Sequence, residues 1–353
     1  MKDYRILVGM SGGVDSSVCA LLLQRQGWEV QGLMLDLCSG AAGGSADDAR
    51  AVAEHLGISF SVHDARAAFS EQVMADFAES YRSGRTPNPC IVCNRRVKFA
   101  QMLSAADALG CSHIATGHYA RVEFDGAQGR YLLKKGKNLQ KDQSYVLYRL
   151  TQTQLARTRM PLGEMDSKAA IRALAAEAGL RVAQKKDSQD ICFIPDGDYV
   201  SFLRRRGVAL MPGDFVDETG RVLGRHRGLP CYTTGQRKGL GVGGSAYPLY
   251  VLRKDAKTNT VVLGPEEHLY SDRTVIEQCN WIAFDDLTEP VRCTAKTRYS
   301  QTEAAATVSP LPGSRAEVVF DAPQRALTAG QSAVFYDGDT VLGGGWICAR
   351  EEY

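Results

Sequence analysis

The stretch that most limits what this chain can fold into is "YRILVGMSGGVDSSVCALLLQRQG", residues 4–27. A β-branched run gives way to paired glycines and then, at once, to helical spacing that closes on Gly27. A helix launched directly off a strand crosses back over the sheet, and the strand that follows it then lies parallel to the first. The same alternation continues. "EVQGLMLDL", "ISFSVHD" and "SHIATGH" read as further strands, and "SADDARAVAEHLG" reads as a helix that opens on Ser45 and closes on Gly57. Helical spacing runs over about 65–82, breaks at "SGRTPNPC", resumes in "NRRVKFAQMLSAADALG" and returns at 151–179. The expected fold class is α/β, with a parallel sheet covered by helices over residues 1–198.

A chain of 353 residues exceeds one average core, so further domains are expected. Residues 199–272 carry many glycines and short turn-punctuated strands such as "TVVLG", which suggests a small β-rich central domain. From 273 to 353, "VRCTAKTRYS", "EAAATVSP", "RAEVVFD" and "SAVFYDGDTVLGGGWI" alternate with turn residues as in an antiparallel β-barrel.

The 42 basic and 40 acidic residues nearly cancel, so a nucleic-acid surface would have to be local. One candidate spans 202–238, where Arg204, Arg205, Arg206, Arg221, Arg225, Arg227, Arg237 and Lys238 face only Asp214, Asp217 and Glu218. No apolar run approaches the roughly eighteen residues of a membrane helix, and the N-terminus has no long apolar core, so a cytoplasmic protein without membrane contact is expected. Ten cysteines without a disulfide-like spacing should be mostly reduced, which moves Cys90-x-x-Cys93 towards metal binding or catalysis.

Between the first strand and helix, Gly9, Met10, Ser11, Gly12, Gly13, Val14, Asp15 and Ser16 form an anion cradle at the positive end of the helix. It lacks the G-K-[ST] of a γ-phosphate loop and the third glycine of a dinucleotide fingerprint. Asp15 could hold Mg²⁺ against a pyrophosphate. S-G-G-x-D-S in this position resembles the PP-loop of the ATP pyrophosphatases, which split ATP between its α and β phosphates; the plain alternative is a glycine turn with incidental serines. A PP-loop alone does not choose between sulfur transfer and amide formation. Cysteines do bear on it: Cys93 lies beside Arg95 and Arg96 at an expected helix start, and Cys192 lies near Lys185 and Lys186, settings that favour thiolates.

Eight segments, "GMSGGVDSS", "GRTPNPCIVCNRRVKF", "ATGHYAR", "KDQSYVLYRL", "KKDSQDICFI", "GQRKGLG", "KTRYSQ" and "GQSAVFY", are similar in content and order to those of the bacterial tRNA-specific 2-thiouridylases. The resemblance implies ATP-dependent adenylation of the C2 oxygen of the wobble uridine of tRNA, sulfur transfer from a cysteine persulfide, and release of AMP and pyrophosphate. By motif, Cys93 matches the catalytic thiol and Cys192 the persulfide carrier. Residues 9–16 with Leu35 and Gly117 match ATP contacts, and Asn88, Pro89 and Cys90 match contacts to the target base. His118, Lys141, Asp142, Gln143, Arg298, Tyr299 and Gln331 match tRNA contacts. A cysteine desulfurase or sulfur-relay protein is the implied donor, and a monomer is expected.

Cys90 departs from the family, whose best-known members carry Asp there. Three readings of it stay open: a ligand, with Cys93 and Cys192, of a [4Fe–4S] cluster; a redox partner; or a neutral filler. Cys19, Cys38, Cys111, Cys231, Cys279, Cys293 and Cys348 read as core residues. Two other functions stand as alternatives, a PP-loop amide-forming or nitrogen-transferring synthetase and a non-catalytic, metal-containing tRNA-binding protein.

Overall fold

The computed structural model describes residues 4–38, 46–185, 191–245 and 247–349. The expected opening of the second helix on Ser45, and Lys186, lie outside these residues. The N-terminal domain holds β1 (Arg5–Gly9), β2 (Glu29–Asp36), β3 (Ser59–Asp64), β4 (His113–Ala115), β5 (Ala120–Asp125), β6 (Arg130–Lys135) and β7 (Thr158–Arg159). Five of them form a parallel sheet in the order β3-β2-β1-β4-β7.

β1 is central, and Ile6, Leu7 and Val8 are fully buried because helices cover both faces of the sheet. Ile6 and Val8 pack with Val18 and Leu23 of α1 (Val14–Arg25), whereas Leu7 packs on the other face with Phe99 and Met102 of the helix Phe99–Ala108. The order reverses direction at β1, between β2 and β4. That places the loop after β1 at the crevice where such sheets bind ligands, outside the carboxyl ends of the strands.

Two local expectations need correction. The continuous helix read over 151–179 is interrupted: Gln152–Ala156, capped by a Thr151–Gln154 capping box, is followed by β7 and then by the helix Lys168–Glu177, capped by Ser167. Apolar spacing survives the break because the edge strand contributes a buried Thr158. The hairpin β5–β6 was not foreseen, and it leaves the parallel sheet to pair with the C-terminal domain at Lys134↔Thr340.

The middle domain is a four-stranded sheet of β8 (Gly213–Val216), β9 (Val222–His226), β10 (Tyr250–Asp255) and β11 (Thr260–Gly264), ordered β10-β11-β8-β9. The C-terminal domain comprises β12 (Tyr270–Trp281), β13 (Val291–Lys296), β14 (Ala304–Leu311), β15 (Arg315–Arg325), β16 (Ser332–Asp337) and β17 (Thr340–Ile347). These run β12-β15-β14-β13-β16-β17, and the β12–β17 pairing closes the ring into the expected antiparallel barrel. Closure removes the free edges that an open sheet would present. Among the described residues no helix is long and apolar enough to cross a membrane.

Candidate active site

The anion loop is shaped by two glycines with different tasks. Gly12 adopts φ +69°, the left-handed region that side chains disfavour, and Gly13 is the N-cap of α1. Ser16 Oγ accepts from the Ser11 backbone N–H (3.2 Å) and donates to the Gly13 carbonyl (3.1 Å), so the loop is closed on itself. Gly117, just past β4, abuts it so closely that a Cβ would lie 2.9 Å from the Ser16 nitrogen. Leu35, near the end of β2, packs with the apolar cluster beneath.

Asp15 does not stand free in this cradle. Lys168 Nζ donates to both of its carboxylate oxygens (2.7 and 2.8 Å), and the Tyr119 hydroxyl donates to one (2.6 Å). Lys185 reaches the Gly12 carbonyl (3.0 Å) and Asp48 (2.7 Å). Two lysines thus flank the loop. Lys168 escaped the sequence reading because it lies far along the chain, with only its place in the first turn of a capped helix as a signal.

The segment "TPNPC" starts a helix at Pro89, with Asn88 as N-cap accepting from the Cys90 N–H (3.2 Å). The helix continues through a π-helical turn, Cys93–Lys98, into Phe99–Ala108. Cys93 therefore lies a turn inside the helix, not at its start, and the dipole argument for its thiolate fails. It is 7% exposed, and burial pushes its thiol up to about 12. Arg95, which sequence proximity offered as its cation, is turned away to the Arg149 carbonyl and Asn280 (3.0 Å each). Lys98 takes that place, because its charge bears on Cys90, Cys93 and Cys192 alike.

Cys192 is exposed, and its pKa is drawn down to about 7, first by a hydrogen bond from Cys38 and also by Lys98, against the opposing effect of burial. Lys185, the other cation expected beside it, is engaged at the anion loop. The reading of Cys38 as a core residue is thus corrected, because its thiol donates towards Cys192. Cys90 is exposed, and desolvation raises its thiol. Among the described residues no three His, Cys, Asp or Glu side chains converge closely enough to hold a single metal ion.

The residues matched to tRNA contacts form a belt between the barrel and this site. Tyr299, 42% exposed, donates to the Asp142 carbonyl (3.2 Å) and is electrostatically coupled to Cys90. The Asp142 carboxylate is buried and accepts from the Gly136 N–H and the Ser144 hydroxyl, while Gln143 brackets Tyr119 through its backbone N–H and side-chain oxygen. Lys141 is half-buried. His118 bonds Thr116 (2.8 Å) and stacks on Phe99; burial and Lys98 keep it neutral. Arg298 ties the barrel to the Thr234 carbonyl of the middle domain (3.3 Å), and Gln331 donates to the Thr86 carbonyl (2.7 Å) beside "TPNPC". Within the basic stripe, Arg225 pairs with Asp214 and Arg221 with Asp217, while Arg204, Arg205, Arg237 and Lys238 stay exposed.

Family models match nearly the whole chain: a tRNA methyl transferase HUP domain over residues 4–196, a tRNA methyl transferase PRC-barrel domain over 201–265 and an aminomethyltransferase beta-barrel domain over 271–347. The fold and site are thus those of a PP-loop HUP-domain enzyme that carries a PRC-barrel and a closed β-barrel. A curated tRNA-specific 2-thiouridylase of Acetivibrio thermocellus is 49% identical over 98% of this chain and 100% of its own length. Another, of Syntrophotalea carbinolica, is 50% identical over 98% and 99%. This chain belongs to the tRNA-specific 2-thiouridylase family. A 4-thiouridine synthetase solved with RNA and ATP aligns over 57% of this chain and 50% of its own, at 17% identity and a TM-score of 0.37.

Proposed function

We propose that the chain is an ATP-dependent tRNA uridine 2-sulfurtransferase acting on the wobble uridine. The observation that carries this reading is that one chain holds both an anion loop, at the start of α1, and two thiols, one buried and one with a lowered pKa, that share the charge of Lys98. Methyl transfer, which the family descriptions mention, would leave these thiols without a role. Amide formation would leave them without one too.

ATP binds with its phosphates on the N–H groups of the loop and α1, and the C2 oxygen of uridine attacks the α-phosphate, releasing pyrophosphate. Asp15 is the residue that would hold Mg²⁺, which would screen the polyphosphate charge when bound. Lys168, now held by Asp15, supplies the cation for the departing pyrophosphate. Cys192, whose thiolate is favoured over that of an ordinary cysteine, accepts sulfur from a desulfurase or relay protein as a persulfide. Its terminal sulfur attacks C2, and AMP leaves with the C2–O electron pair. Cys93 then attacks Cys192 Sγ, so that the carbon-bound sulfur departs as 2-thiouridine and a Cys93–Cys192 disulfide remains. Neutral His118, the belt around Tyr299 and the exposed arginines of the middle domain contact the tRNA.

The test is reconstitution with tRNA, ATP, Mg²⁺ and a persulfide donor, following 2-thiouridine and AMP together. Full turnover by both Cys93→Ser and Cys192→Ser would remove the thiol chemistry and leave the amide-forming class.

A further inference from the structure

We propose that Cys38 is a resolving thiol, which takes over Cys192 after sulfur transfer and sets Cys93 free; this role rests on the thiolation chemistry above. Cys38 stands two residues beyond the end of β2, at the same carboxyl edge of the sheet as the anion loop. Its side chain packs against the apolar cluster that contains Val92, Cys93 and Phe193, on which Ile191 also packs, so Cys192 lies between two residues of the cluster that Cys38 joins, and the two thiols share a hydrogen bond. Two thiols, remote in sequence, therefore flank one acceptor sulfur.

Accessibility gives this arrangement a purpose. Cys93 is buried whereas Cys192 is exposed, so a disulfide between them has one sulfur walled into the core. Cys38 is half-buried and packs on the same cluster as the residues on either side of Cys192. In the exchange, Cys38 gives up its proton and its sulfur attacks Cys192 Sγ. The Cys38–Cys192 bond forms as the Cys93–Cys192 bond breaks, and Cys93 leaves with the electron pair and takes a proton. Nothing is oxidised or reduced overall. An external dithiol then reduces the Cys38–Cys192 disulfide to two thiols and is itself oxidised to a disulfide.

The experiment loads wild-type enzyme, Cys38→Ser, Cys93→Ser and Cys192→Ser with one equivalent of persulfide donor, then adds tRNA, ATP and Mg²⁺ without dithiol. After acid quench and alkylation with N-ethylmaleimide, non-reducing peptide mass spectrometry identifies the disulfide. Wild type is expected to hold Cys38–Cys192 and Cys38→Ser to hold Cys93–Cys192, with recovery of free Cys93 by dithiothreitol about tenfold slower in the variant. The Cys93–Cys192 link in Cys38→Ser itself reports that the variant folds and reacts. Wild type holding only Cys93–Cys192, with equal recovery in Cys38→Ser, overturns the proposal. Thiolation that persists in Cys93→Ser and Cys192→Ser overturns the underlying chemistry instead, a pattern that loss of Cys38 alone does not produce.

Discussion

Cys192 and Lys98 show how far a single residue's behaviour depends on neighbours that the chain brings from a distance. Iodoacetamide alkylation of Cys192 should rise with a midpoint near pH 7, because its thiolate is favoured in the folded site and forms above that pH. Lys98→Met removes a charge that favours the thiolate, so the midpoint should move upward; an unmoved profile would deny Lys98 its part. Lys168→Met should slow pyrophosphate release by about a hundredfold while tRNA affinity, read by filter binding, stays within about twofold. The thiols themselves were legible in the motifs. Their ranking was not, because Cys93 looked like a helix-start thiolate until Asn88 proved to be the cap and burial to dominate. Cys38 looked inert because nothing in "LDLCSG" foretells Cys192 beside it.

At the scale of elements, the segment that carries Cys90 and Cys93 is one continuous helix from Pro89 to Ala108 with a π turn in its middle. A second π turn, Ser70–Met74, interrupts the helix that packs against it, and Val73 and Met74 meet Val92, Cys93 and Val97 in one cluster. Such turns are common at functional sites, and here one sets the register in which the Lys98 N–H reaches the Cys93 sulfur. Asn88→Ala should cost about 1 kcal/mol in urea denaturation through loss of the cap, with Asn88→Ser close to wild type. Strand–loop–helix order was readable from periodicity and glycines. The π turns were not, since they answer to packing between two helices and leave no mark on spacing. The β5–β6 hairpin escaped for the related reason that its partner is a strand of another domain.

Across the whole molecule, the barrel acts as a clamp on the loop that leads into the thiol-bearing helix. Gly330, at φ +86°, comes so near that a Cβ would lie 2.8 Å from Arg85 Cβ, and Thr86 exchanges hydrogen bonds with Ala329 and Gln331. The middle domain adds Lys254, whose ammonium lies 3.5 Å from the Thr86 hydroxyl and 5.8 Å from the centre of the Tyr81 ring. Burial draws its pKa down to about 7. The unfolded chain keeps this lysine protonated to near pH 10, so it binds more protons than the folded state between about 7 and 10, and stability from this group rises with pH across that window. Lys254→Met should therefore raise the melting temperature more at pH 6 than at pH 10; an equal gain at both would contradict the assignment.

The account as a whole stands on one coupling, between ATP cleavage at the loop and sulfur leaving Cys192. The most direct measurement is a single-turnover reaction of persulfide-loaded enzyme with tRNA and ATP, quantifying AMP and 2-thiouridine in the same quenched samples. The account predicts the two in equal amounts, with AMP formation dependent on tRNA. It also predicts that Cys192→Ser abolishes the thiouridine. Thiouridine formed without AMP, or formed undiminished by Cys192→Ser, would contradict it.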